Sequence, residues 1–167
     1  MRLHTAIVAT TLLATPLVIM APAAHAQEAA PGTSESRVEA FFHRANDLVL
    51  NAMGFMGIPY KWGGAAPETG FDCSGFVQYV VRQAVGVVLP RSSFDQIRQG
   101  VAIARDQLQP GDLVFFNTMR ATASHVGIYI GENRFIHSPS RGKSVEIGDV
   151  TNVYWQARYD GARRLPL

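Results

Sequence analysis

The chain has one cysteine, Cys73, among its 167 residues. No disulfide can form within it, so no cystine framework holds the fold together. Histidine is scarce, with five in all, and no C-x-x-C or H-x-x-x-H spacing occurs. That removes the usual signatures of a zinc site, and neither a metal nor another cofactor is expected. Lys and Arg number 15 against 13 Asp and Glu, and no basic run stands out. Nucleic acid is therefore not an implied partner. Long apolar runs are missing too, apart from residues 6–20. That run carries Pro16 and falls short of the ~20 residues a spanning helix needs.

What is present at the start fits export. Arg2 precedes the apolar run, and Ala24-His25-Ala26 gives a small-x-small cleavage pattern. Residues 1–26 are expected to be a signal peptide, cut after Ala26. No cysteine lies near the cut, so lipid attachment there is not expected. The mature chain should be periplasmic or secreted, with no stable membrane anchor. Residues 27–36, QEAAPGTSES, read as a flexible leader. Residues 37–167 form one domain of ordinary size, with no internal repeat.

The periodicity changes once along that domain. A helix is expected from about Ser36 to Ala52, with Val38, Phe41, Phe42, Ala45, Leu48, Val49 and Ala52 in one stripe. MGIPYKWGGAAPETG reads as a loop. A second helix should begin at Asp72 or Cys73, bury Phe76, Val77, Val80, Val81 and Ala84, and stop at Gly86. A short helix should follow from Ser92 to Gly100, capped by Ser92 or Ser93. Strands come next, in QPGDLVFF, HVGIYI, NRFIH and KSVEI. NVYWQARY suits a short helix and GARRLPL a closing strand. Helices first and antiparallel strands second imply an α+β domain, with helices packed on one side of a sheet.

Cys73 has two readings. One is a buried structural cysteine, a common residue in cores. The other is a reactive thiol. With Asp72 as N-cap, Cys73 lies in the first helical turn, where free N–H groups and the helix dipole favour a thiolate. Ser74 and Gly75 are small and leave the sulfur approachable.

A nucleophilic cysteine needs a base, and the base needs an orienter. His4 and His25 fall in the signal, and His43 reads as a surface residue of the first helix. His125 and His137 lie on the two strands of one hairpin, HVGIYIGENRFIH. A three-residue loop, Gly131 to Asn133, would set Gly127 opposite His137 and put both histidines on one face. A two-residue turn, Glu132-Asn133, would put them on opposite faces unless a bulge intervenes. The spacing leaves both registers open.

The stretches YKWGG, FDCSGFVQYV, LPRSS, QPGDLVFF, HVGIYIGENRFIH and ARRL, in that order, resemble the NlpC-type (NlpC/p-sixty) bacterial cell-wall cysteine peptidases. The likeness runs from about Val38 to Leu167 and is greatest to single-domain murein endopeptidases. It implies a papain-like α+β fold. It also implies hydrolysis of peptide bonds in murein stem peptides or cross-links, either D-Glu–diaminopimelate or diaminopimelate–D-Ala. By the resemblance, Cys73 is the nucleophile, His125 the general base and His137 the orienter. Tyr60 is then an oxyanion donor beside the Cys73 N–H. Asp72 and Ser74 fall on the substrate side, although capping alone also accounts for Asp72. Peptidoglycan stem peptides are the expected partner, and a monomer is expected. Two rival readings stand beside this one, an amidase that cuts between sugar and peptide and a non-catalytic wall-binding partner.

Overall fold

The computed structural model describes residues 34–167. The expected signal peptide, and the leader as far as residue 33, lie outside the described residues. Helix α1 spans Ser34–Met53, so it starts ahead of the expected Ser36. Its stripe is only half used. Ala45, Leu48 and Ala52 are buried, while Val38 and Phe42 stay exposed. The apolar period is present throughout, but only the C-terminal half of the helix meets the core. Among the described residues no helix is long and apolar enough to cross a membrane.

The loop after α1 carries a small hairpin, β1 (Ala65–Ala66) and β2 (Gly70–Phe71), which the Gly and Pro content had concealed. Helix α2 spans Cys73–Val85 and ends at Gly86, as expected. The single turn α3, Ser93–Gln96, is capped by Ser92. Then come β3 (Val101–Ile103), β4 (Leu113–Phe116), β5 (His125–Gly131), β6 (Arg134–His137) and β7 (Glu146–Asp149). The short helix α4 (Val153–Gln156) leads into β8 (Tyr159–Arg164). The six longer-range strands form one antiparallel sheet in the order β3-β8-β4-β5-β6-β7.

Alternation along the strands divides the sheet between two cores. Leu113, Phe115, Val126, Ile128 and Ile136 pack with Leu48 and Ala52 of α1 and with Phe76, Val77, Val80 and Val81 of α2. Val114, Phe116, Tyr129 and Phe135 point the other way, where Trp155 of α4 and Tyr159 pack against them. His125 and His137 share the parity of this second set. α1 and α2 therefore cover one face of the sheet, and the histidines belong to the other. α2 meets the histidine strand near its first residues, where Cys73 Sγ lies 4.0 Å from the Ser124 carbonyl.

Two of the sequence stretches are explained by packing alone. In PGDL, Asp112 is fully buried. Its carboxylate accepts from Arg164 Nε at 2.8 Å, from Arg164 Nη2 at 2.8 Å and from the Gln109 N–H at 2.8 Å. Two-pronged pairing of this kind satisfies a charge that burial would otherwise make costly. The late ARRL stretch thus clamps the start of β4. The glycines of KWGG and DCSG also meet. A Cβ on Gly75 would stand 2.1 Å from the Gly64 carbonyl oxygen. Only glycine lets the first turn of α2 rest on that backbone.

Candidate active site

Asp72 caps α2, with its Oδ1 accepting from the Gly75 N–H at 2.8 Å. Its Oδ2 accepts from the Gly63 N–H at 3.0 Å. Arg91 closes on both oxygens, at 2.9 Å to Oδ1 and 2.6 Å to Oδ2. Ser74 is buried; its hydroxyl accepts from Arg91 Nη1 at 2.9 Å and donates to Asp72 at 3.3 Å. Asp72 and Ser74 are thus bound up with Arg91 in a clamp that fixes the first turn of α2. All three residues line the groove that Cys73 also faces.

Arg91 is a residue that sequence reasoning missed. LPRSS carries part of the family likeness, but nothing local ties Arg91 to Asp72, 19 positions earlier. Such a pair is made by the fold and leaves no period in the sequence.

The electrostatics of Cys73 correct one expectation. A first-turn thiol should ionise readily, yet burial, followed by the negative charge of Asp72, pushes the Cys73 thiol up to about 11. Backbone N–H groups of Val126, Ser74 and Cys73 itself pull the other way and do not prevail. Burial outweighs the helix end here, and the capping carboxylate adds to it. Burial also pushes His125 down to about 4 and holds His137 well below the usual histidine range. Burial thus disfavours the charged form of all three side chains.

The two histidines meet. His125 Nε2 and His137 Nδ1 are 2.7 Å apart, with the rings edge to face. Both sequence registers turn out to be partly right. The turn has two residues, Glu132 and Asn133, both with positive φ (51° and 59°) as a tight hairpin turn requires. A bulge between Tyr129 and Gly131 then restores the pairing Ile128 with Ile136. Continuing that register sets Gly127 opposite His137. The space there is not empty. A Cβ on Gly127 would lie 2.6 Å from the Phe135 ring, 2.9 Å from the Ile136 carbonyl and 3.2 Å from His137 Cβ. Gly127→Ala is therefore expected to lower stability by ~1–3 kcal/mol, as overpacking usually does. It should also push His137 off His125 and cut turnover. Urea denaturation beside steady-state rates measures both. A variant with wild-type values in each would show that β6 is free to shift.

Cys73, His125 and His137 open onto one groove of about 1300 Å³, which Tyr60, Arg91 and Trp155 also line. Tyr60 is fixed through its N–H, which donates to the Lys143 carbonyl at 2.9 Å. Burial, then the charges of Cys73 and Asp72, hold its phenol above the usual tyrosine value, so it stays a hydrogen-bond donor. Trp155 was also missed, because a tryptophan in a one-turn helix reads as ordinary packing. His43, as expected, is an exposed residue of α1.

Residues 57–164 match the NlpC/P60 family. The chain is 42% identical over 143 residues to murein DD-endopeptidase MepH of Escherichia coli, covering 83% of this chain and 53% of that protein. It thus spans about half the length of that relative. It is 37% identical to murein DD-endopeptidase MepS/murein LD-carboxypeptidase of Escherichia coli, covering 84% of this chain and 79% of that protein. The crystal structure of an NlpC/P60 family protein from Bacillus cereus superposes with a TM-score of 0.68. It has 41% identity to this chain, with 74% of this chain and 40% of that one covered. A cysteine at a helix start, a hydrogen-bonded histidine pair on a hairpin and this breadth of likeness agree, and the chain belongs to the NlpC/P60 family.

Proposed function

We propose that this chain is a cysteine endopeptidase that hydrolyses peptide bonds in peptidoglycan stem peptides or their cross-links. The observation that carries this is the shared groove. It holds the only cysteine together with His125, whose Nε2 is already engaged by His137 at 2.7 Å. That hydrogen bond leaves Nδ1 of His125 for the thiol. The murein endopeptidases among the relatives supply the substrate class.

The steps follow from a neutral resting pair. His125 Nδ1 takes the proton from Cys73 as sulfur attacks the stem-peptide carbonyl. The carbonyl oxygen becomes an oxyanion, held by the Tyr60 hydroxyl and the Cys73 N–H. Losing one donor of this kind typically costs ~3 kcal/mol of transition-state stabilisation. His125 passes its proton to the leaving amine, and the acyl group stays on sulfur. A water then gives a proton to His125 and attacks the thioester carbonyl. The acid leaves, and the proton returns to the thiolate. The desolvation cost of charging each buried group is offset in part when opposite charges form side by side.

Digestion of purified sacculi with product masses tests the reading. Shortened stem peptides or resolved cross-links are expected. Intact stem peptides freed from glycan would mean an amidase instead, and unchanged sacculi that retain the protein would mean a wall-binding partner.

Residues 1–26 are assigned to export, with residues from Gln27 onward as the mature chain acting in the periplasm or outside the cell. N-terminal sequencing of the soluble exported protein should begin at Gln27. A chain that keeps Met1 in washed membranes would make the apolar run an anchor.

A further inference from the structure

Trp155 touches both histidines without joining their hydrogen bond. Its indole stacks on His125, with centroids 5.5 Å apart and planes 26° from parallel. It meets His137 edge to face at 5.1 Å and 88°. Behind it, Phe116 and Phe135 lie 4.8 and 5.1 Å away. The residue is held in place from its own backbone. Asn152 caps α4, with Oδ1 accepting from the Tyr154 N–H at 2.9 Å. The Arg158 N–H closes on the Trp155 carbonyl at 3.1 Å. Trp155 thus joins the aromatic core to the rim of the groove.

This placement has a consequence for the base. The bond to His137 fixes one ring nitrogen of His125 but leaves the ring free to swing about it. A flat partner against the ring removes that freedom. His125 and His137 are only 3% and 1% exposed, and the indole lies against both rings. Water there would compete for the 2.7 Å hydrogen bond and would let His125 drift from the thiol.

We propose that Trp155 is a positioning residue for the base: it holds the ring plane of His125 and keeps water from the His125–His137 hydrogen bond. The inference rests on the peptidase reading for its kinetic consequence, but the stacking can be tested without it. The indole supplies no acid, base or nucleophile, so its loss should act through His125. Burial lowers His125, so removing the indole that lies against it and exposing the ring should return that group toward its ordinary value.

The experiment compares Trp155→Ala and Trp155→Phe with wild type on a soluble stem-peptide substrate across pH 4 to 9. Trp155→Ala should lower kcat ~10-fold or more with KM within ~2-fold, the pattern of lost alignment, not lost binding. The acid limb of its kcat/KM profile should move up by ~1 pH unit or more, toward the ordinary histidine value. Trp155→Phe keeps a flat apolar partner and should recover most of kcat. A rise in KM alone would make Trp155 a substrate wall and overturn the proposal. An unmoved kcat and acid limb would overturn it equally.

Proton NMR at pH 8 tests the stacking without substrate and without Trp155→Ala. The ring protons of His125 should lie upfield of ordinary imidazole positions, and Trp155→Phe should reduce that shift. Ordinary positions in the wild type would overturn the proposal even if Trp155→Ala failed to fold. A normal upfield shift with no hydrolysis by the wild type would uphold the stacking and sink the peptidase reading instead.

Discussion

Cys73→Ala should abolish sacculus hydrolysis, by ~10³-fold or more, while the protein stays folded. The fold has little stake in the sulfur. No disulfide is lost, because Cys73 is the only cysteine. The Sγ contact to the Ser124 carbonyl, at 4.0 Å, is weak. Alanine suits the first turn of a helix, and the cap of α2 depends on Asp72, not on Cys73. Thermal unfolding of the variant should therefore match wild type within a few degrees. Alkylation by iodoacetamide adds a sharper check. Burial and Asp72 push the thiol up to about 11, so without a base Cys73 would react slowly at neutral pH. With His125 to take its proton as sulfur attacks, it should react faster at pH 7 than it does without the imidazole. His125→Ala should shift the alkylation profile toward alkaline pH. If the two profiles coincide, the sulfur and the imidazole are not coupled, and the mechanism fails at its first step.

The sequence signals that proved readable were local ones. The cap at Asp72, the stop at Gly86 and the two-residue alternation of HVGIYI depend on near neighbours, and the structure keeps each of them. The hairpin shows where that legibility ends. Parity limited the histidines to two arrangements, but a bulge near Ile130 decided between them. A bulge is set by pairing across the hairpin and has no marker in one strand. The exposed half of α1 is a related case. Val38 and Phe42 have the right period, yet burial depends on how far the neighbouring elements reach. Arg91 and Trp155 were silent for a third reason. Arg91 acts through Asp72 and Ser74, and Trp155 through ring contacts to residues 18 or more positions away. The thiol pKa failed for want of a magnitude. The helix end and burial oppose each other at Cys73, and sequence alone gives no depth of burial.

His125→Ala should be nearly inactive, and His137 variants should fall between it and wild type. The base takes part in both proton transfers, so its loss should cost ~10³-fold or more. His137 fixes only tautomer and ring angle. His137→Asn or Gln keeps a polar partner for Nε2 and should retain part of kcat, whereas His137→Ala should retain less. Equal activity in His137→Ala and wild type would remove His137 from the site.

The same pair should also make stability depend on pH, and the sign can be worked out. His125 protonates near pH 6.5 in the unfolded chain but only near 4 in the fold. Between those values the unfolded chain binds the extra proton and the folded chain refuses it. Stability should thus be fully present above about pH 6.5 and be lost as pH falls toward 4. The slope approaches ~1.4 kcal/mol per pH unit for one histidine, and His137 acts in the same direction. Urea midpoints at pH 7, 6 and 5 should fall in that order. The double variant His125→Asn/His137→Asn should lose most of that slope, because neither replacement binds a proton. If the slope survives the double change, the acid sensitivity lies elsewhere, and the two imidazoles are not the buried neutral groups that the mechanism requires.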